Sequence, residues 1–131
     1  MYLLDTNTLI YFFKGMGQVA QRLLSCAPQS IAVSSITVFE LKVGILKSQS
    51  PDKRSAQLDA LLEQITVIGF AENEAEVAAK IRADLEKTGT PIGPLDTLIA
   101  ATALAHNATL ITHNLKEFTR VNGLKAESWF E

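Results

Sequence analysis

The sequence predicts an α/β fold: a parallel sheet covered by helices on both faces. Short apolar runs of strand character alternate with helix-patterned stretches along the whole chain, and such alternation builds parallel sheets. Three carboxylates, Asp5, Glu40 and Asp96, each stand where a strand would pass into a helix. In open α/β sheets those junctions gather at the carboxyl edge, where ligands bind. No internal repeat, low-complexity tract or long linker interrupts the pattern, so residues 1–131 read as one domain.

The elements follow in order. Tyr2 to Asp5 is a short buried strand. Leu9, Ile10, Phe12 and Phe13 suit a helix over Thr8 to Lys14, which Gly15 and Gly17 break. Gln18 to Ser25 is a second helix, and Ser30 to Val33 a second strand. Ser34 or Ser35 can N-cap a helix reaching about Lys47, because a hydroxyl there accepts a free backbone N–H. Pro51 opens a helix carrying Leu58, Leu61, Leu62 and Ile65, since proline lacks only an N–H that the first turn leaves unpaired. Thr66 to Ile68 is a third strand.

Val77, Ala78, Ile81 and Leu85 then recur at helical spacing over Glu72 to Lys87. Glu72, Glu74 and Glu76 lie in the first turns, where the helix dipole favours acids. Residues 88–93 form a loop, and Pro94 begins a nearly uncharged helix through Ala105. Thr109 to Thr112 is a fourth strand, Leu115 to Arg120 a short helix or turn, and Leu124 to Glu127 a fifth strand.

Composition sets bounds on function. Hydrophobic residues make up 47% of the chain, enough for a core. No apolar run nears the ~20 residues that span a bilayer, so no membrane role is expected. Met1-Tyr2-Leu3-Leu4-Asp5 has no basic flank and does not resemble a signal peptide. Cys26 is the only cysteine, so no intrachain disulfide forms, which fits a reducing, cytoplasmic setting. Cys26 itself reads as a small buried apolar residue. The net charge is −2. Of the fourteen acids, Asp5, Glu40, Asp96 and Glu117 are candidate site residues. The other ten face twelve bases, a balance of +2. That charge permits a nucleic-acid substrate without arguing for one.

Each carboxylate has a structural alternative. Asp5 can simply N-cap the first helix, with Asn7 placed to hold it by hydrogen bonding or to ligate a metal through water. Glu40 lies among Val38, Phe39, Leu41, Val43 and Ile45, where a buried charge needs a partner. It can also sit on a solvated helix edge. Thr37 and Gly44 share its face, and the glycine leaves room for a ligand. Asp96 can cap or benefit from the dipole of its helix. Three acids converging at one sheet edge cannot all ionise without a compensating charge. A hard divalent cation, Mg²⁺ or Mn²⁺, supplies it most readily.

Four blocks carry a family resemblance: Leu4-Asp5-Thr6-Asn7; Ser35-Ile36-Thr37-Val38-Phe39-Glu40-Leu41; Pro94-Leu95-Asp96-Thr97-Leu98-Ile99-Ala100-Ala101; and Leu110 to Phe118. With Val121-Asn122-Gly123-Leu124 and Trp129, they run nearly end to end. The chain resembles PIN-domain ribonucleases, and among them the VapC-type toxins of bacterial toxin–antitoxin pairs. The resemblance implies a five-stranded parallel sheet in an α/β/α sandwich and Mg²⁺- or Mn²⁺-dependent endonucleolytic cleavage of RNA, with tRNA a plausible target. Asp5, Glu40 and Asp96 fall on the family's acidic metal-site positions. Thr112 matches a polar position bordering the site, and Asn7 the residue that supports the first Asp. Asn114 stands where the family often has a fourth Asp, which puts a second metal in question. Glu117 can partly substitute for it, or be an ordinary surface acid. The resemblance also implies a small cognate antitoxin. A homodimer is expected, with a larger assembly when the antitoxin binds. Tyr11, Phe12 and Phe13 offer aromatic surface for a partner helix.

His113 adjoins Asn114, but alternation along a strand end turns it away from the site. His106 reads as structural. Lys14, Arg22, Lys42, Lys47, Lys116 and Arg120 are candidates for RNA contacts. Two other readings compete. Asp5-Thr6-Asn7-Thr8 nearly matches the Asp-x-Asp-x-Thr opening of haloacid-dehalogenase-like phosphatases, but Asn7 replaces their general acid. A decayed RNA- or protein-binding module finds support only in Asn114.

Overall fold

The computed structural model describes residues 1–131. Five strands are formed: β1 (Tyr2–Leu4), β2 (Ile31–Ser34), β3 (Thr66–Ile68), β4 (Thr109–Ile111) and β5 (Ala126–Glu127). Between them run seven helices: α1 (Thr6–Lys14), α2 (Val19–Leu24), α3 (Ser35–Leu46), α4 (Pro51–Leu62), α5 (Glu72–Lys87), α6 (Pro94–Ala105) and α7 (Leu115–Phe118). All strands pair in parallel, in the spatial order β3-β2-β1-β4-β5. No helix is long and apolar enough to cross a membrane.

Strand alternation splits the core in two. Leu3, Ala32 and Leu110 point into one cluster, with Ala78, Ile81 and Leu85 of α5, Ile99 to Ala101 of α6, and Phe118 of α7. Leu4, Ile31, Val33 and Ile111 point to the other, against Leu9, Val19, Leu23, Leu41 and Leu58 of α1 to α4. Both sheet faces are therefore covered, which is why the strands read as apolar runs. Each fully buried leucine or isoleucine contributes roughly 1.5–3 kcal/mol by leaving water.

Local signals place the helix ends. Ser34 Oγ accepts the Thr37 N–H at 3.1 Å and opens α3. Pro51 and Pro94 begin α4 and α6. Glu74 Oε1 accepts the Ala71 N–H at 2.8 Å, while its Oε2 lies 2.9 Å from His106 Nε2. His106 thus ties α6 to the start of α5, the structural role expected of it. Some boundaries differ from the sequence expectation. Helix α1 begins at Thr6, because Asp5 caps it, and β5 is only two residues long. Cys26 is half-buried, its Sγ 3.4 Å from the Arg22 carbonyl, rather than fully buried.

The chain runs outward from β1 through β2 to β3, then crosses back to lay β4 on the other side of β1. The order therefore reverses between β1 and β4. At that switch point the connections leave the sheet in opposite directions and open a crevice beyond the strand ends.

Candidate active site

Asp5 is the first residue past β1 and Thr112 the first past β4, so the crevice brings them together. The Asp5 N–H donates to the Ile111 carbonyl at 3.0 Å, extending the ladder by one bond. Asp5 Oδ1 accepts the Thr8 N–H at 2.9 Å and caps α1. The Thr8 hydroxyl donates to the Ile111 carbonyl at 3.0 Å, locking the turn to β4. Capping and a place in the site are compatible, because one carboxylate oxygen suffices for the cap. Asp5 is only 5% exposed. Burial pushes its carboxyl up, against hydrogen bonds from the Thr112 hydroxyl and from Thr8; the Glu40 charge adds to the rise. Thr112 is fully buried and its hydroxyl also accepts the Asn114 N–H at 3.0 Å. Asn7 makes no hydrogen bond to Asp5; Thr8 and Thr112 hold that side chain instead.

Glu40 reaches the same crevice from α3. The Thr6 hydroxyl donates to Glu40 Oε1 at 2.6 Å and lies 3.2 Å from the hydroxyl of Thr37, one turn before Glu40. The partner that a half-buried carboxylate needs is thus a hydroxyl, not a cation. Asp96 enters from the first turn of α6. Gly93 lies beside it: a β-carbon there would sit 3.6 Å from Asp96 Oδ2. Asn114 Nδ2 donates to Glu117 Oε2 at 2.7 Å. The amide at the fourth position therefore holds Glu117, whose charge is felt by Asp96.

No lysine or arginine forms an ion pair with these acids. Of the chain's close charge pairs, Lys80–Asp84, Arg82–Glu86 and His106–Glu74 lie elsewhere, and His113–Glu131 lies at the rim without pairing to these acids. No three His, Cys, Asp or Glu side chains close around one point. Burial, then the charges of Asp5, Glu40 and Glu117, raise Asp96 to about 6. Hard oxygen donors with uncompensated charge are the ligands that Mg²⁺ and Mn²⁺ take, so the donor set fits such an ion.

A testable consequence concerns the metal-free protein. The folded chain holds the Asp96 proton more tightly than the unfolded chain, whose pKa is near 3.8. This contribution to stability is present at low pH and is lost as pH rises through about 6. Asp96→Asn should therefore raise the Tm in EDTA at pH 7.5, by on the order of 3 °C per kcal/mol of repulsion relieved. The gain should shrink toward pH 4. A lower Tm at pH 7.5 would mean that the carboxylate supports the fold.

Other candidates are placed less centrally. His113 does not turn away: with Asp5, Asn7, Tyr11 and Asn114 it lines a cleft of about 270 Å³. Lys14 lines a second cavity of about 330 Å³ with Glu40, Gly44 and Arg54, a residue that sequence reasoning did not nominate. A β-carbon at Gly44 would meet nothing within 4 Å, so that space is open. Arg120 donates to the Pro91 carbonyl at 3.1 Å and lines a separate groove against α5. Arg22, Lys42, Lys47 and Lys116 are exposed.

The chain is similar in sequence and fold to known proteins. The chain is 33% identical over 128 residues to a tRNA(fMet)-specific endonuclease VapC of Salmonella typhimurium, covering 98% of this chain and 97% of that one. It is 34% identical over 137 residues to Ribonuclease VapC2 of Rickettsia felis, covering 98% of each. Its fold superposes with a TM-score of 0.91 on a chain of the VapBC2 crystal structure from Rickettsia felis, bound to a promoter DNA fragment. That match has 37% identity and covers 98% of both chains. The family model described as PIN domain matches residues 2–124. That span holds every strand but the last and every acid of the crevice, and the chain belongs to the PIN domain family.

Proposed function

We propose that residues 1–131 act as one catalytic domain, a divalent-metal-dependent endoribonuclease that serves as the toxin of a toxin–antitoxin pair. What supports this reading is that Asp5, Glu40 and Glu117 each raise the pKa of Asp96 near the β1–β4 switch point, with no lysine or arginine paired to these acids. The names of its relatives support it: one is an endonuclease specific for a tRNA, another a ribonuclease. Structured RNA, tRNA included, is the substrate class.

Asp5 and Asp96 would hold the ion, with Glu117 close enough to add charge. Bound there, Mg²⁺ or Mn²⁺ supplies Lewis acidity toward the phosphate and lowers the pKa of water. The protein's part is positional. Thr8 and Thr112 fix Asp5. Thr6 fixes Glu40 through Oε1, leaving Oε2 to orient the attacking water. Water would add to phosphorus in line as the P–O bond to the leaving ribose oxygen breaks; the water keeps one proton as the new P–OH and releases the other to solvent, from which the leaving oxygen takes up one proton. No protein nucleophile takes part.

Asn114 and Glu117 set metal affinity. Asn114→Asp adds a hard anionic ligand and should tighten Mn²⁺ binding about tenfold in a calorimetric titration. Glu117→Ala should weaken it by a similar factor, the lower end of what a supporting residue contributes. Unchanged affinity in both variants would remove this pair from the site.

The antitoxin and a second copy of the chain need apolar surface. Tyr11, Phe12 and Phe13 keep part of their surface open for it. All three are half-buried, with Phe12 against Phe13 and Tyr11 against Phe130. The exposed apolar face is on α3, where Phe39, Val43 and Leu46 follow one another at helical spacing, 55%, 37% and 79% exposed. Expression alone should arrest bacterial growth, and co-expression of the small protein encoded beside it should restore growth. Harmless high-level expression without a partner would contradict the toxin reading.

A further inference from the structure

Tyr11, His113 and Phe130 come from three distant parts of the chain and meet at the rim of the acid cluster. The His113 ring stacks on Phe130 with centroids 4.2 Å apart and planes 29° apart. Tyr11 meets both edge-on, 5.0 Å from Phe130 and 5.9 Å from His113. Tyr11 and His113 line the same cleft as Asp5 and Asn7. One face of the His113 ring rests on Phe130, and the side chain remains 39% exposed.

This platform is held in place rather than left to fray, as terminal segments usually do. The Gln18 N–H donates to the Phe130 carbonyl at 2.8 Å, and the Phe130 N–H donates to Ser128 Oγ at 3.2 Å. Trp129 is buried, and its indole N–H donates to Glu127 at 3.1 Å. Gly17, at φ +63°, lets the chain pass close: a β-carbon there would stand 2.5 Å from the Phe130 carbonyl oxygen. His113 Nδ1 is 3.5 Å from both Ser128 Oγ and Glu131 Oε1, so that nitrogen is turned toward the same segment. A preorganised aromatic cluster with a part-exposed imidazole, beside the proposed phosphate-cleaving site, suits the face of an unpaired base, and such stacking tolerates any base.

We propose that Tyr11, His113 and Phe130 form a stacking subsite that takes one unpaired nucleobase of the RNA beside the phosphate to be cut. The proposal rests on the nuclease reading above. His113 is then a substrate-positioning residue and not a proton carrier.

The test is steady-state cleavage, in Mn²⁺, of an RNA stem-loop carrying a mapped cut site. His113→Ala should raise KM about tenfold with kcat within about twofold, the lower range of stacking losses. His113→Phe keeps the flat ring without its nitrogens and should restore KM. Phe130→Leu, which keeps bulk but not the ring, should behave like His113→Ala, with an unchanged Tm confirming the fold. Replacing the base beside the cut by an abasic ribose should raise KM for the wild type and leave His113→Ala unaffected. An unchanged KM in His113→Ala overturns the subsite while leaving the nuclease reading intact. Loss of kcat in both His113→Ala and His113→Phe also overturns it, in favour of proton transfer. No cleavage by the wild type overturns the nuclease reading itself and the subsite with it.

Discussion

Asp5→Asn is expected to lower RNA cleavage by about a hundredfold or more while the protein stays folded. The amide oxygen still accepts the Thr8 N–H, so the α1 cap survives. What disappears is the charge at the centre of the crevice, and removing one preorganised electrostatic group costs about 10²–10³ in rate. Asp96→Asn should behave alike. Circular dichroism and the Tm establish folding, and gel analysis of an RNA substrate gives the rate. Near-wild-type cleavage by Asp5→Asn would show that the crevice is not the active site. Asp5→Ala is the less informative change, because it also removes the cap, at a cost of about 1 kcal/mol.

The parts of the fold set by local chemistry were legible in the sequence. Ser34, Pro51 and Pro94 each mark a helix start through a single backbone group, and the structure starts helices at those places. Leu3 and Leu4 together read as a strand buried on both faces, and each enters a different core cluster. Of the three acids read as strand-to-helix junctions, only Asp5 directly follows a strand; Glu40 lies in the second turn of α3, and Asp96 opens a helix that follows α5 through a loop, not a strand.

Long-range partners were not legible. Thr6 holds Glu40 across 34 residues, and nothing near either residue announces the other. Glu117 appeared as an alternative to Asn114, whereas the two are hydrogen-bonded partners. Capping and site membership appeared as alternatives for Asp5, whereas one carboxylate oxygen suffices for the cap, so the two are compatible. The expectation for His113 failed because β4 ends at Ile111, so the two-residue alternation of a strand no longer governs position 113. Tyr11 also packs on Phe130, more than a hundred residues away. Apolar residues are spread around most of α3 with only Glu40 and Lys42 charged, so its sequence pattern does not reveal which apolar residues remain exposed.

Metal dependence is the claim on which the rest stands. Asp5, Glu40, Asp96 and Glu117 together would repel a phosphate unless a cation intervened. The direct measurement incubates purified protein with total RNA in Mg²⁺ or Mn²⁺, in excess EDTA, and in EDTA followed by restored metal. The expected result is discrete fragments with metal, none in EDTA, and recovery when metal returns. Undiminished cleavage in EDTA would contradict the metal-centred account of this site.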